Sequence, residues 1–150
     1  MPKIATNVLA VLAGILIGSL VNMGIILVGP MIIPLPEGVD MADMDRFAEN
    51  LNLLQPVNFI TPWVAHALGT FFGGLVTSKL AASQHMKLAL GIGAFFLLGG
   101  ISVVLMYGGP LWFACVDLLG AYFPMAYLGG LLGRPKHTVT DDLPTDTGAK

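Results

Sequence analysis

Two titratable side chains, His66 and Asp117, stand inside stretches that are otherwise apolar. A carboxylate at membrane depth costs a few kcal/mol even on lenient scales, so it faces a bundle interior, finds a partner and often marks a pathway or a site. A histidine beside it in low dielectric can switch charge in the physiological range. Two readings follow. In one, the pair is a buried clasp that shares a proton, with Asn22 and Ser102 satisfying the remainder. Interhelical polar bonds in lipid contribute only about 0.6–2 kcal/mol each, yet they fix register. In the other, the pair is a protonation or ion site reached by water from one side. The residues leave both readings open.

Other chemistry finds little support. His66 and Asp117 are too few to hold a metal, and Cys115 points to the far side of its helix from Asp117. As the only cysteine, Cys115 forms no internal disulfide and is expected to be a packing residue. His85 and His137 fall at the opposite membrane face from His66, so bis-histidine haem ligation lacks a second ligand. No serine has a histidine and an acid arranged as a triad, and no Gly-rich loop follows a strand. The expectation is a protein that is not an enzyme and carries no cofactor and no metal. A net charge of −2 implies no nucleic-acid surface.

The elements that position the pair are set by hydropathy. The 150 residues are 55% hydrophobic and only 11% charged, against roughly a quarter charged in soluble domains. The deficit comes from four apolar blocks at 4–28, 61–82, 87–107 and 111–132, each long enough to cross a hydrocarbon core of about 30 Å. The first block is longer than a signal-peptide core and reads as a retained helix. The expected fold is all-α and integral to the membrane: one transmembrane domain over 4–133, built as an antiparallel four-helix bundle. An outer loop over 29–60 and a polar tail over 134–150, read as a disordered cytoplasmic end, complete the chain.

Charge orients it. Lys3, Lys79, Lys87, Arg134 and Lys136 flank helix ends on one side, while the long loop carries Glu37, Asp40, Asp43, Asp45 and Glu49 against only Arg46. The positive-inside rule then places both termini in the cytoplasm. Trp63 and Trp112 begin the second and fourth spans at the outer face and are expected as interface anchors with wet indole N–H groups. In the loop, Asp40 looks like an N-cap, and Met44, Phe47, Leu51 and Leu54 recur at helical spacing. A short amphipathic helix over about 41–54 is expected, lying on the bundle or headgroups, or serving as a lid.

His66 and Asp117 both sit on the order of 10 Å inside the outer boundary, at 1.5 Å rise per residue. Asn22 and Ser102 lie near the outer ends of the first and third spans, which places four polar residues in one layer. Gly14, Gly18 and Asn22 share a face; so do His66, Gly69, Thr70 and Gly73, and likewise Asp117, Ala114, Gly120, Ala121 and Pro124. Small residues let helices approach in lipid, so the polar layer should face inward. Pro124 should kink the fourth span and free a carbonyl near Gly120.

Two segments also match each other: His66-Ala-Leu-Gly-Thr-Phe-Phe and Asp117-Leu-Leu-Gly-Ala-Tyr-Phe. With Gly29-Pro30 and Gly109-Pro110 ending the first and third spans, the chain would be two repeated hairpins related by an axis along the membrane normal. The match is short and built from residues common in membrane helices.

The run Thr61-Pro-Trp-Val-Ala-His-Ala-Leu-Gly-Thr, with the later Trp112–Gly133 block, resembles small four-span bacterial inner-membrane proteins that carry no assigned activity. The resemblance implies a bacterial cytoplasmic membrane and no mechanism. Small size and many glycine faces lead to the expectation of an accessory or scaffold subunit that packs with itself or a larger membrane complex among lipids. The alternatives are a small transporter or channel component using His66 and Asp117, and a lipid or hydrophobic-ligand binder with Met44–Leu54 over a lateral opening.

Overall fold

Backbone polar groups in lipid must be satisfied within the segment, and apolar stretches of this length can do so as helices. The structure, a computed structural model, describes residues 2–135 and contains helices and no strand among them. The elements are α1 (Lys3–Ile32), α2 (Phe47–Leu53), a 3-10 turn (Pro56–Phe59), α3 (Ile60–Leu80), α4 (His85–Tyr107), α5 (Leu111–Gly120) and α6 (Phe123–Gly133). Four helical stretches are long and apolar enough to cross a membrane: Lys3–Ile32, Pro56–Leu80, His85–Tyr107 and Leu111–Gly133. Of the expected tail, residues 136–150 lie outside those described.

Helix α3 is the axis, packed chiefly on α1 and α6 and then on α4. It meets α1 antiparallel through facing glycines. A Cβ on Gly18 would stand 2.7 Å from the Gly69 carbonyl oxygen, and one on Gly73 would stand 3.0 Å from that of Gly14. On its other side, Gly129 and Gly133 of α6 lie against the α3 backbone at Phe71 and Leu75. Without a hydrophobic force between helices in lipid, such backbone approach maximises dispersion contacts.

The end that carries the start of α1 and the α3–α4 turn, here the terminal end, is also pinned by polar bonds. Thr77 donates its hydroxyl to the Ala10 carbonyl at 3.3 Å and Ser78 donates to that of Gly130 at 2.9 Å. Asn7 Oδ1 accepts the backbone N–H groups of Ala82 and Ser83, closing the turn that Gln84 makes in a left-handed conformation at φ 55°.

The fourth span is broken, not merely kinked. Helix α5 stops at Gly120 and α6 begins at Phe123, with Tyr122 at φ −109° and ψ −79° between them. Pro124 explains the gap: it has no N–H to give the Gly120 carbonyl, and its ring clashes with a continuous helix there. As the proline falls in the first turn of α6, it costs the second helix nothing. Helix α5 packs only lightly on the rest of the molecule.

The helix in the long loop is shorter than the periodicity suggests, Phe47–Leu53 with Arg46 at its N-cap. Asp40 is not that cap. Its carboxylate accepts the Ala42 N–H at 2.9 Å, and Asp43 does the same for Asp45 and Arg46. Aspartates that bond the backbone two residues on favour turns over helix, which removes residues 41–46 from the helix. Helix α1 instead runs past Val28 to Ile32, since Pro30 in its last turn removes a single ladder bond.

Candidate functional site

The break in the fourth span builds the centre of the molecule. Asp117, on the last turn of α5, is 3% exposed. The His66 Nδ1 atom of α3 lies 2.9 Å from its Oδ1 and 3.0 Å from its Oδ2. Tyr122, in the break, donates its hydroxyl to Oδ2 at 3.1 Å, and its ring stacks on the imidazole with centroids 5.8 Å apart. With the carboxylate as acceptor, Nδ1 carries the imidazole proton, so Nε2 of the neutral ring is an acceptor. This histidine–carboxylate–tyrosine group links the three elements α3, α5 and the break.

Tyr122 is the residue that sequence reasoning missed. On an unbroken helix, five residues place it about 140° around from Asp117. The break brings its hydroxyl back to the carboxylate. The signal was present as a tyrosine two residues ahead of a mid-span proline. The ring is 2% exposed and packs with Ala67 and Ala121.

Two cavities meet at His66. The larger, about 290 Å³, opens under the long loop between α1 and α3. Its roof includes Phe47 and Leu51 of α2, Val104 and Phe113 stand in its walls, and His66 and Asp117 form its polar floor. The roof is held by edge-on packing of Phe47 against Tyr107, centroids 4.8 Å apart, and by Asn58, whose side-chain amide donates to the Pro34 carbonyl at 3.0 Å. The smaller cavity, about 220 Å³, lies between α1, α3 and α4, with Asn22, His66, Thr70 and Tyr122 in its wall.

The expected four-residue layer is therefore only partly assembled. His66 and Asp117 are bonded, and Asn22 lines the smaller cavity beside them. Ser102 is elsewhere. It is exposed on α4 and donates to the Leu98 carbonyl of its own helix at 2.8 Å, the usual resort of a helical serine that faces lipid. Depth placed it in the layer, but its face points outward. The two hairpins expected from the sequence, aligned on Gly29-Pro30 and Gly109-Pro110, would pair Asn22 with Ser102, yet the two occupy unlike positions.

Trp63 is corrected as well. Its indole N–H is buried without a hydrogen-bond partner, and its ring packs against Gly120 and the Ala121–Tyr122 break. It is a wedge behind the break, not a wet anchor. Trp112 is half-exposed and packs edge-on against Phe59 at 5.4 Å. Cys115 lies on the outer surface of α5 and not in the packing. Among the described residues, no three His, Cys, Asp or Glu side chains converge as metal ligands. Comparison with protein-family models, with curated proteins and with solved structures returned no match.

Proposed function

We propose that this chain is a multi-pass membrane protein, folded as a four-helix bundle, that binds a hydrophobic ligand in the chamber beneath α2. One observation carries the reading. An apolar chamber of about 290 Å³ is roofed by an amphipathic helix and floored by a bonded His66–Asp117 pair. Ligand sites in proteins have this make-up, mostly apolar walls with a few convergent polar groups. The outward apolar faces that suggest an accessory or scaffold subunit are what any span presents to lipid, so they single out no surface. The charge pattern supports cytoplasmic termini and a loop end facing outward, and the family resemblance implies a bacterial inner membrane.

The test is mass spectrometry of lipids and metabolites released from purified protein. Leu51→Trp fills the chamber from its roof. The account expects a species enriched on the natural protein and depleted at least tenfold on Leu51→Trp at equal folded yield. Equal recovery from both would refute it.

A second reading has its own observation. The Tyr122 hydroxyl, Asp117 and His66 form one hydrogen-bonded chain that touches both cavities. Such a chain can pass or store a proton. If it does, Asp117→Asn abolishes proton flux in proteoliposomes; unchanged flux would remove this reading.

A further inference from the structure

We infer that the smaller cavity, bounded by Asn22, His66, Thr70 and Tyr122, binds the neutral hydroxyl head of an apolar-chain alcohol that arrives from the lipid between α1 and α4. The inference goes beyond the ligand-binding reading above: it concerns the second cavity at His66 and names the chemistry of the polar group that cavity takes.

Thr70 is the first ground. It is 1% exposed and its hydroxyl has no hydrogen-bond partner. A threonine in a helix ordinarily returns its proton to the carbonyl one turn back, and a buried hydroxyl left unpaired forfeits its hydration. Here the residue lines the cavity wall. At about 220 Å³ the space exceeds what one water fills, since a water occupies about 30 Å³ of liquid.

The wall's chemistry selects the head group. Asn22 brings an amide with both donor and acceptor. His66, with its Nδ1–H committed to Asp117, keeps Nε2 as an acceptor. A hydroxyl donates once and accepts twice, so it can give its proton to Nε2 and accept from Asn22 or Thr70. An anionic head would find no lysine or arginine in this wall. An ammonium would find no carboxylate in this wall to offset its charge. The rest of the wall is Phe96, Val103 and three glycines. At Gly99, exposed on α4, an added Cβ would meet nothing within 4 Å, which leaves a path for an apolar chain toward the lipid.

The experiment uses the full chain in phosphatidylcholine nanodiscs, titrated with 1-dodecanol, dioleoylglycerol, dodecane, dodecanoate or dodecylamine, with binding read by thermal unfolding. Saturable stabilisation by an alcohol, weakened at least tenfold in both Thr70→Val and Asn22→Leu, supports the proposal. Both alcohols binding points to any long-chain alcohol, and dioleoylglycerol alone points to a membrane lipid. Thr70→Val keeps the shape of threonine, so it serves if Asn22→Leu fails to fold. Stabilisation by dodecane equal to that by dodecanol, lost in Leu51→Trp and kept in Thr70→Val, overturns this inference and leaves the chamber reading standing. Binding of dodecanoate or dodecylamine in place of the alcohols overturns it too. No stabilisation by any of the five counts against both.

Discussion

The two ends of the helical core are built by opposite rules. At the terminal end, α1, α3 and α6 touch backbone to backbone through Gly14, Gly73, Gly129 and Gly133, and buried hydroxyls such as Ser78 are bonded. At the loop end, α5 stands off, the fourth span is interrupted at Tyr122, and two cavities surround a histidine–carboxylate pair. Among the described residues, the buried polar atoms without partners are Asn50 Oδ1, Trp63 Nε1 and Thr70 Oγ1; the first two lie in the loop half and Thr70 at the middle of α3. Close packing and full hydrogen bonding are what stability asks for. Their concentration at one end indicates that this end fastens the molecule and so permits an open, under-bonded region at the other. Functional regions are commonly drawn from the less stable parts of a fold.

The comparison breaks most directly at the glycines. Gly73→Val should destabilise by about 1–3 kcal/mol, because overpacking here pushes on the Gly14 carbonyl as well as on Ile92 and Phe96. Gly99→Ala, at the loop end, meets open space and should change stability by less than about 0.5 kcal/mol. Thermal unfolding in detergent micelles measures both, and equal effects would dissolve the contrast.

The polar pair comes next. His66→Leu leaves the buried Asp117 carboxylate with Tyr122 as its remaining hydrogen-bond donor and should cost about 1–3 kcal/mol. The double variant His66→Leu with Asp117→Leu should recover more than half of that, since replacing both members of a buried pair by apolar residues is often neutral. A double variant as unstable as the sum of the two single ones would mean that the pair does not interact.

Smallest is the contrast between two serines. Ser78→Ala removes a buried bond that joins α3 to α6 and should cost about 1–2 kcal/mol. Ser102→Ala removes only a bond within α4 and should stay within about 0.5 kcal/mol. Reversal of that order would favour the polar layer as first read from depth.

Much of this was legible in the sequence for a physical reason. Hydropathy reports length against lipid thickness, so the four apolar helices were plain. Small-residue spacing reports which faces approach, so Gly14, Gly18, Gly69 and Gly73 were found on facing stripes. Depth counted along straight helices brought His66 and Asp117 together, because both lie on continuous helix above the break. The same counting failed where the helix is not straight or the face was weakly marked. Tyr122 lies beyond the break, Ser102 has only one small neighbour to orient it, and Trp63 looked like a boundary residue until the break gave its ring a socket. The aspartates at 40 and 43 carry helix-cap chemistry and turn chemistry alike, so the start of α2 was not decidable from type and spacing.

The central claim, a fastened end and an open ligand-bearing end, is tested most directly by hydrogen exchange mass spectrometry in nanodiscs with and without 1-dodecanol. The account predicts strong protection of Gly73–Ser78 and Ala126–Gly133 in both conditions. It predicts faster exchange over Phe47–Leu53 and Leu111–Tyr122 than over those segments, and at least tenfold slower exchange with the alcohol around Asn22, Thr70 and Tyr122, which wall the smaller cavity. Equal protection of the two ends, unchanged by the alcohol, would contradict it.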